Sequence, residues 1–187
     1  MEPGLTVGIS GASGAALALS FSKLAYESGV PTELIVTPGG ERTLREELGL
    51  PADALREYVR ERYDCHDIGA APASGSRASL GMVVIPCSMR TLAGIAAGYS
   101  ENLLLRAADV TLKERRRLVL VTREAPLSYI HLRNMQEVTR AGGIIFPPVP
   151  LWYAKPCGMD EMHKQLAARI LGMFGVHTDA MPVWAGE

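Results

Sequence analysis

The residues able to do chemistry gather in a few short stretches, and Val84 to Arg123 holds most of them. An apolar strand, Met82 to Ile85, runs into Pro86-Cys87-Ser88-Met89-Arg90-Thr91, which opens a helix. A second helix beginning near Asn102 carries Arg106 and Lys113. Their spacing is close to two turns, so both cations project from one face. The stripe opposite, Leu105, Ala108 and Leu112, has core spacing. A helix that buries one side and holds fixed positive charge on the other suits an anion. Cys87 stands at a helix start, where a thiol can become nucleophilic, but a small packed residue at a strand end is the preferred reading. His131, between Ile130 and Leu132, reads as a structural histidine rather than a base. His66, His163 and His177 have no metal-ligand spacing.

The elements that must position these groups alternate in type. Leu5 to Ser10 is a strand, followed by the turn Gly11-Ala12-Ser13-Gly14 and a helix with Leu17, Phe21 and Leu24 inward. Small residues before a helix N-terminus let backbone N–H groups approach a phosphate. The turn is neither GxGxxG nor a P-loop, so a plain tight turn remains an alternative. A strand over Leu34 to Val36 ends at Thr37-Pro38-Gly39-Gly40, and the next helix carries Leu44, Glu46, Glu47 and Leu48. From the residues alone Glu47 is a solvated helix glutamate. Leu50 to Tyr63 is expected as a surface helix, and Pro72-Ala73-Ser74-Gly75-Ser76 as a loop.

Further on, Leu118 to Thr122 is a strand that delivers Arg123 and Glu124. Tyr129 to Arg140 reads as a helix with Ile130, Asn134, Met135 and Val138 near one face, and Gly142 to Phe146 as a strand. Pro147 to Pro156 is too proline-rich for regular structure and carries Trp152 and Tyr153. Asp160 to Phe174 is the last helix, with Leu166, Ile170 and Phe174 inward and Arg169 beside them. This order predicts one α/β domain over 1–187, a mostly parallel sheet between two helical layers, with ligands at the strand C-termini. Gly11 to Ser13, Thr37, Ser88 to Thr91, Arg123 with Glu124, and Tyr153 would then converge on one edge. Hydroxyls, amides and arginines suit a phosphate-bearing ligand.

Composition excludes several classes. The net charge of −1 over 187 residues gives no global field for nucleic acid or an anionic membrane. Three cysteines without paired spacing argue against a disulfide framework or a zinc site, and point to a reduced, cytoplasmic protein. No signal peptide and no run long enough to span a bilayer is visible. The six aspartates are scattered, so an anion here is expected to be held by Arg, Lys and Tyr without a metal.

Several motifs, collinear along nearly the whole chain, resemble the UbiX/Pad flavin prenyltransferases, a family that includes accessory proteins of phenolic-acid decarboxylase systems. They are Gly11-Ala-Ser-Gly14, Pro72-Ala-Ser-Gly-Ser76, Pro86-Cys-Ser-Met-Arg-Thr-Leu-Ala93, the run from Asn102 to Arg116, Arg123-Glu-Ala-Pro-Leu127, Ile130-His-Leu-Arg-Asn-Met135 and the Pro150 to Pro156 loop. The resemblance implies a three-layer, Rossmann-like (flavodoxin-like) fold that takes reduced FMN and a dimethylallyl phosphate and needs no metal. The prenyl group is joined to flavin N5 and then C6, and the prenylated FMN serves a separate UbiD-type decarboxylase. By the same resemblance FMN would contact Gly11, Ala12, Ser13, Thr37, Ser88, Met89, Arg90, Thr91 and Arg123. The prenyl phosphate would meet Arg106, Lys113, Arg123, Tyr153 and Arg169, with Trp184 near the prenyl pocket. Glu47, Glu124, Lys113 and Tyr153 take the catalytic positions, the two glutamates in proton handling. Large homo-oligomers, up to dodecamers, with sites at subunit junctions are implied, and the tail over about 175–187 would pack on the site or a neighbour.

The physics agrees with this chemistry. Ionising an allylic C–O bond leaves charge on phosphate, which fixed cations stabilise. The allyl fragment needs a dry pocket with aromatic faces, which Trp152, Tyr153 and Trp184 can supply. Two positions depart from the family pattern: Ile68 stands where many members have Trp, and Leu151-Trp152 replaces Ala/Gly-Phe before the loop tyrosine. Two rival readings are an FMN-dependent cysteine decarboxylase of related fold and a non-catalytic flavin-carrying subunit of an aromatic-acid decarboxylase. The first lacks its catalytic His and Asn/Met clamp motif here; the second would not need the cationic clamp.

Overall fold

The computed structural model of the chain describes residues 2–184 and 186. Six parallel strands, β1 (Gly4–Ile9), β2 (Thr32–Val36), β3 (Glu61–Tyr63), β4 (Ser79–Cys87), β5 (Leu118–Thr122) and β6 (Ile144–Ile145), form one sheet. Their order is β3-β2-β1-β4-β5-β6, the Rossmann-like arrangement. The helices are α1 (Ala15–Glu27), α2 (Pro38–Leu48), α3 (Met89–Ala96), α4 (Leu103–Lys113), α5 (Tyr129–Arg140) and α6 (Met159–Gly172). The order in which successive strands are added reverses between β1 and β4, so the crevice beyond their C-terminal ends is the place this topology offers a ligand.

Helices cover both faces, which is why the central strands are continuously apolar rather than alternating. Alternation survives in which layer each side chain meets. Leu5, Val7, Ile9, Val83, Val119 and Val121 pack with Phe21 of α1 and with Leu166 and Ile170 of α6. Met82, Val84, Leu118 and Leu120 pack with Leu92 of α3, Leu104 of α4 and Val138 of α5. The register, with Val7 opposite Leu34 and Val83, keeps these two sets apart. Phe21 is fully buried, and its truncation to Ala would cost about 3–5 kcal/mol.

Three expectations change. The segment from Leu50 to Tyr63 is not one helix: a 3-10 stretch over Ala52–Tyr58 gives way to β3. Arg60 N–H donates to Thr32 O (2.9 Å), which starts pairing with β2. The strand expected over Gly142 to Phe146 shrinks to two residues. Gly143 N–H is taken by Val138 O (2.9 Å) at the end of α5, and Pro147 has no N–H to continue the ladder. The inward face of α5 is also narrower than its periodicity suggests, since Asn134 and Val138 are buried while Ile130 is exposed.

At the N-terminal edge of the sheet Glu33 is buried between Arg60 and Arg77, the latter donating from both its terminal nitrogens. Burial alone would raise its pKa, but the two guanidiniums hold it below the usual carboxylate range.

Candidate active site

At the C-terminal edge the ends of β1 and β4 are tied together by one hydroxyl. Ser10 Oγ donates to Pro86 O (2.9 Å) and accepts from Ser88 N–H (2.8 Å). The residue is buried, and sequence reasoning passed over it; a serine closing an apolar strand just before a glycine turn was the available signal. Two helices begin beside this tie. Thr37 caps α2, its Oγ1 accepting from Gly40 N–H (3.1 Å), and Ser88 caps α3, its Oγ accepting from Thr91 N–H (3.2 Å). Thr37 Oγ1 also donates to Ile9 O (3.3 Å), so the start of α2 lies directly on the end of β1. That closeness explains the glycines: a Cβ on Gly40 would come within 2.5 Å of Ile9 O, and one on Gly11 within 3.0 Å of Gly39 Cα.

Glu47 is the largest departure from the residue-level reading. Its carboxylate reaches from the last turn of α2 to the start of α1, accepting from Gly14 N–H (3.0 and 3.3 Å) and Ala15 N–H (2.8 Å). Partial burial pushes its pKa up, but the Gly14 and Ala15 amides, the Ser13 hydroxyl and the more distant Arg123 charge bring it below the usual range. A charged Glu47 is therefore the resting state. Gly14, at φ 125°, gives α1 no side-chain cap of its own, so Glu47 supplies the acceptor from another helix.

Beside the start of α1, between the ends of β4 and β5 and the helix α6, lies a cavity of about 130 Å³. Leu17, Pro86, Val121, Met162 and Leu166 make its apolar wall, and Ser13, Arg123 and His163 bring polar groups to it. Six of these were not singled out as site residues, Pro86 having been noted only as the end of its strand. Val121 and Leu166 read as plain core positions, Leu17 likewise, and nothing in the spacing of Met162 or His163 distinguishes them. A larger hollow of about 310 Å³ opens beyond β2 and β3 near Arg62, Tyr63 and His66, and none of the expected site residues lines it.

The remaining expected residues divide by place. Gly11, Ala12 and Ser13 form the β1–α1 turn, and Met89, Arg90 and Thr91 form the first turn of α3. Arg90 is well exposed and 3.5 Å from Glu101. Glu124 is exposed and accepts from the neighbouring Ala125 N–H (3.1 Å). Tyr153 lies in a short 3-10 turn, its hydroxyl 3.5 Å from Pro182 O and its ring edge-on to Trp184, with centroids 5.6 Å apart. Cys87 is wholly buried and its thiol pKa is pushed far up by desolvation, which fits packing and not nucleophilic attack. His131 caps α5, its Nδ1 accepting from Ser128 N–H (3.2 Å), also a structural role.

Three of the expected phosphate-binding cations, Arg106, Lys113 and Arg169, do not line this cavity. Arg106 pairs with Asp109 (2.7 Å) on α4, and Lys113 pairs with Glu114. Lys113 lies against Gly75, ahead of β4, at the edge of the sheet opposite Arg123. The reason is topological: α4 must return the chain to the start of β5. Arg169 is exposed on α6, about one turn past Leu166. That helix runs away from the cavity toward Phe174, which packs beside Gly81 at the opposite edge.

The donor set suits a flavin phosphate: hydroxyls, two helix starts and exposed Arg90 and Arg123 share one open edge. Residues 2–168 match the Flavoprotein family model. Flavin prenyltransferase UbiX of Neisseria meningitidis serogroup B is 45% identical over 97% of this chain and 96% of its own length. The crystal structure of AnUbiX (PadA1) in complex with FMN and dimethylallyl pyrophosphate superposes with a TM-score of 0.97, at 41% identity and full coverage of both chains. A dodecameric FMN-dependent UbiX-like decarboxylase from Escherichia coli O157:H7 gives 0.93, at 41% identity over 97% of this chain and 99% of the other. With these likenesses spanning the whole fold and its crevice, the chain belongs to the UbiX family of flavin prenyltransferases.

Proposed function

We propose that the protein transfers a dimethylallyl group from a dimethylallyl phosphate to reduced FMN, giving prenylated FMN for a UbiD-type decarboxylase. The observation that carries this reading is the small, largely apolar cavity beside the start of α1, with Arg123 and Ser13 on its wall. Its volume falls below the roughly 300–1,000 Å³ usual for larger organic ligands. It suits a branched five-carbon group, while a flavin would lie along the open edge. Family membership supports the same chemistry.

Bound reduced FMN supplies the nucleophilic ring positions, N5 and C6. The chain's own residues do the rest. Gly11 to Ser13, Thr37, Ser88 to Thr91 and Arg123 would hold the flavin, Leu17, Pro86, Val121 and Met162 exclude water, and Arg123 stabilises charge developing on the leaving phosphate. Glu47, already ionised and held by the Gly14 and Ala15 amides, can accept a proton and has none to give. Glu124 and Tyr153 keep their expected roles, with Tyr153 and Trp184 offering aromatic faces to the prenyl group.

Arg106, Lys113 and Arg169 are assigned to the site of an adjoining subunit in a homo-oligomer, because none of them lines this chain's own cavity. The tail against Tyr153 belongs to the same single domain. Three free cysteines fit a reducing, cytoplasmic setting. Among the described residues no helix is long and apolar enough to cross a membrane.

The test is anaerobic incubation with reduced FMN and dimethylallyl monophosphate or diphosphate, followed by mass spectrometry of the extracted flavin. A gain of one C5H8 unit is expected, and an unchanged mass with both donors overturns the reading. For the shared site, oligomers mixed from Arg123→Ala and Lys113→Ala subunits should recover activity that neither variant has alone. Mixed oligomers as inactive as their parents would refute it.

A further inference from the structure

A prenyl phosphate has an apolar end and an anionic end, and the cavity beside α1 offers a wall to each. Leu17, Pro86, Val121, Met162 and Leu166 suit the hydrocarbon. Where the phosphate lies depends on which polar groups of the wall are free to donate. Ser13 and Gly14 are not. Gly14 N–H already donates to Glu47 (3.0 Å), and the Ser13 hydroxyl is close enough to the same carboxylate to lower its pKa. An anion there would meet fixed negative charge. Two donors remain on the wall: Arg123, which follows β5, and His163 of α6. Arg123 acts on Glu47 through charge alone, without a hydrogen bond, so its guanidinium is open to a ligand.

His163 stands one residue after Met162 and three before Leu166, and α6 presents all three to this cavity. It is half-buried, and among the described residues none hydrogen-bonds to its ring. Glu161, two residues back, is engaged elsewhere, accepting from Cys157 N–H (2.7 Å) and the Gln165 amide (3.4 Å). An imidazole on an otherwise apolar wall therefore has its donor to spare. Charged or neutral, it keeps at least one N–H.

We propose that His163 is a substrate-binding residue: together with Arg123 it holds the phosphate of the dimethylallyl donor, apart from the Glu47 carboxylate. The proposal rests on the prenyl-transfer reading above and adds a group from α6 to the cations already expected there. The competing view, in which His163 only packs on the rim, makes a different prediction. Its loss would then weaken ligands with and without a phosphate alike.

The experiment is calorimetric titration of the full chain saturated with oxidised FMN, so that binding is read without transfer. Dimethylallyl monophosphate and diphosphate are titrated into wild type, His163→Leu and His163→Gln. The alcohol 3-methylbut-2-en-1-ol, with the same carbons and no phosphate, is the control ligand. Leucine is a good helix former of similar bulk, so that variant keeps α6 intact. It should bind the monophosphate about 30-fold more weakly, the scale of one hydrogen bond to a charged group. Its affinity for the alcohol should stay within about 3-fold. Glutamine, which keeps a side-chain N–H, should recover the phosphate to within about 5-fold of wild type. Unchanged phosphate affinity in His163→Leu, or phosphate and alcohol weakened in parallel, overturns the role of His163 alone. If wild type takes up FMN but neither phosphate, the prenyl-transfer reading itself falls and takes this assignment with it.

Discussion

The two edges of the sheet use their polar groups in opposite ways. Where the strands start, charges neutralise one another: Glu33 lies between Arg60 and Arg77, and Lys113 pairs with Glu114. Where the strands end, side chains bind backbone instead: Ser10 to Pro86 and Ser88, Thr37 to Gly40, and Glu47 to Gly14 and Ala15. Two glutamates with lowered pKa values show the difference. Glu33 is sealed, and its proton affinity is a matter of stability. Glu47 is exposed beside a cavity, and its charge is available to a ligand. A lowered pKa alone therefore does not mark a functional carboxylate; the openness of its surroundings does.

The sharpest way to test this division is to remove Glu33. Glu33→Ala leaves two guanidiniums without their acceptor and should cost about 3 kcal/mol in denaturant unfolding, the low end for a broken buried pair because both arginines keep some water contact. The mirror experiment is Arg123→Ala, which should lower prenyl transfer by about 100-fold while moving stability by less than about 0.5 kcal/mol. A large stability loss there would mean that the strand-end edge is structural as well.

Ser10→Ala would strand the Ser88 N–H group while Pro86 O keeps its bond from Ser10 N–H, and a loss of about 1–2 kcal/mol is expected, with weaker flavin binding. Acid should act through the strand-start edge. Glu33 has a folded pKa below its unfolded value, so its contribution is complete above the unfolded value of about 4.3 and is lost as pH falls through the folded one. Glu33→Gln should flatten the stability profile in that acid window. The smallest effect belongs to Lys113→Ala, within about 0.5 kcal/mol on stability since its pair is exposed. Its activity, however, should fall, and unchanged turnover would remove Lys113 from the site.

Strand and helix identities were legible because a parallel sheet demands long apolar runs, and Val83 to Ile85 or Leu118 to Val121 can be little else. The misread segments are those whose form depends on a distant partner. Glu61 to Tyr63 become a strand only because β2 offers an edge, and Ile144 and Ile145 only because β5 does. The same limit applies to the site. Thr37, Ser88 and Arg123 follow strands and could be placed by counting. Glu47 could not, since its importance comes from the crossing of α2 over α1. The helical spacing of Arg106 and Lys113 correctly put both on one helix face, but spacing within a helix does not say which edge of the sheet that face serves.

The edge-on contact between Tyr153 and Trp184 has an optical consequence. The chain has two tryptophans, Trp152 and Trp184, both exposed and both beside this loop. Its tryptophan emission therefore comes from a single corner of the molecule, and the core contributes none. Any ligand that reorders the loop or the tail changes the whole signal rather than a fraction of it, so the protein carries its own label for occupancy of that corner.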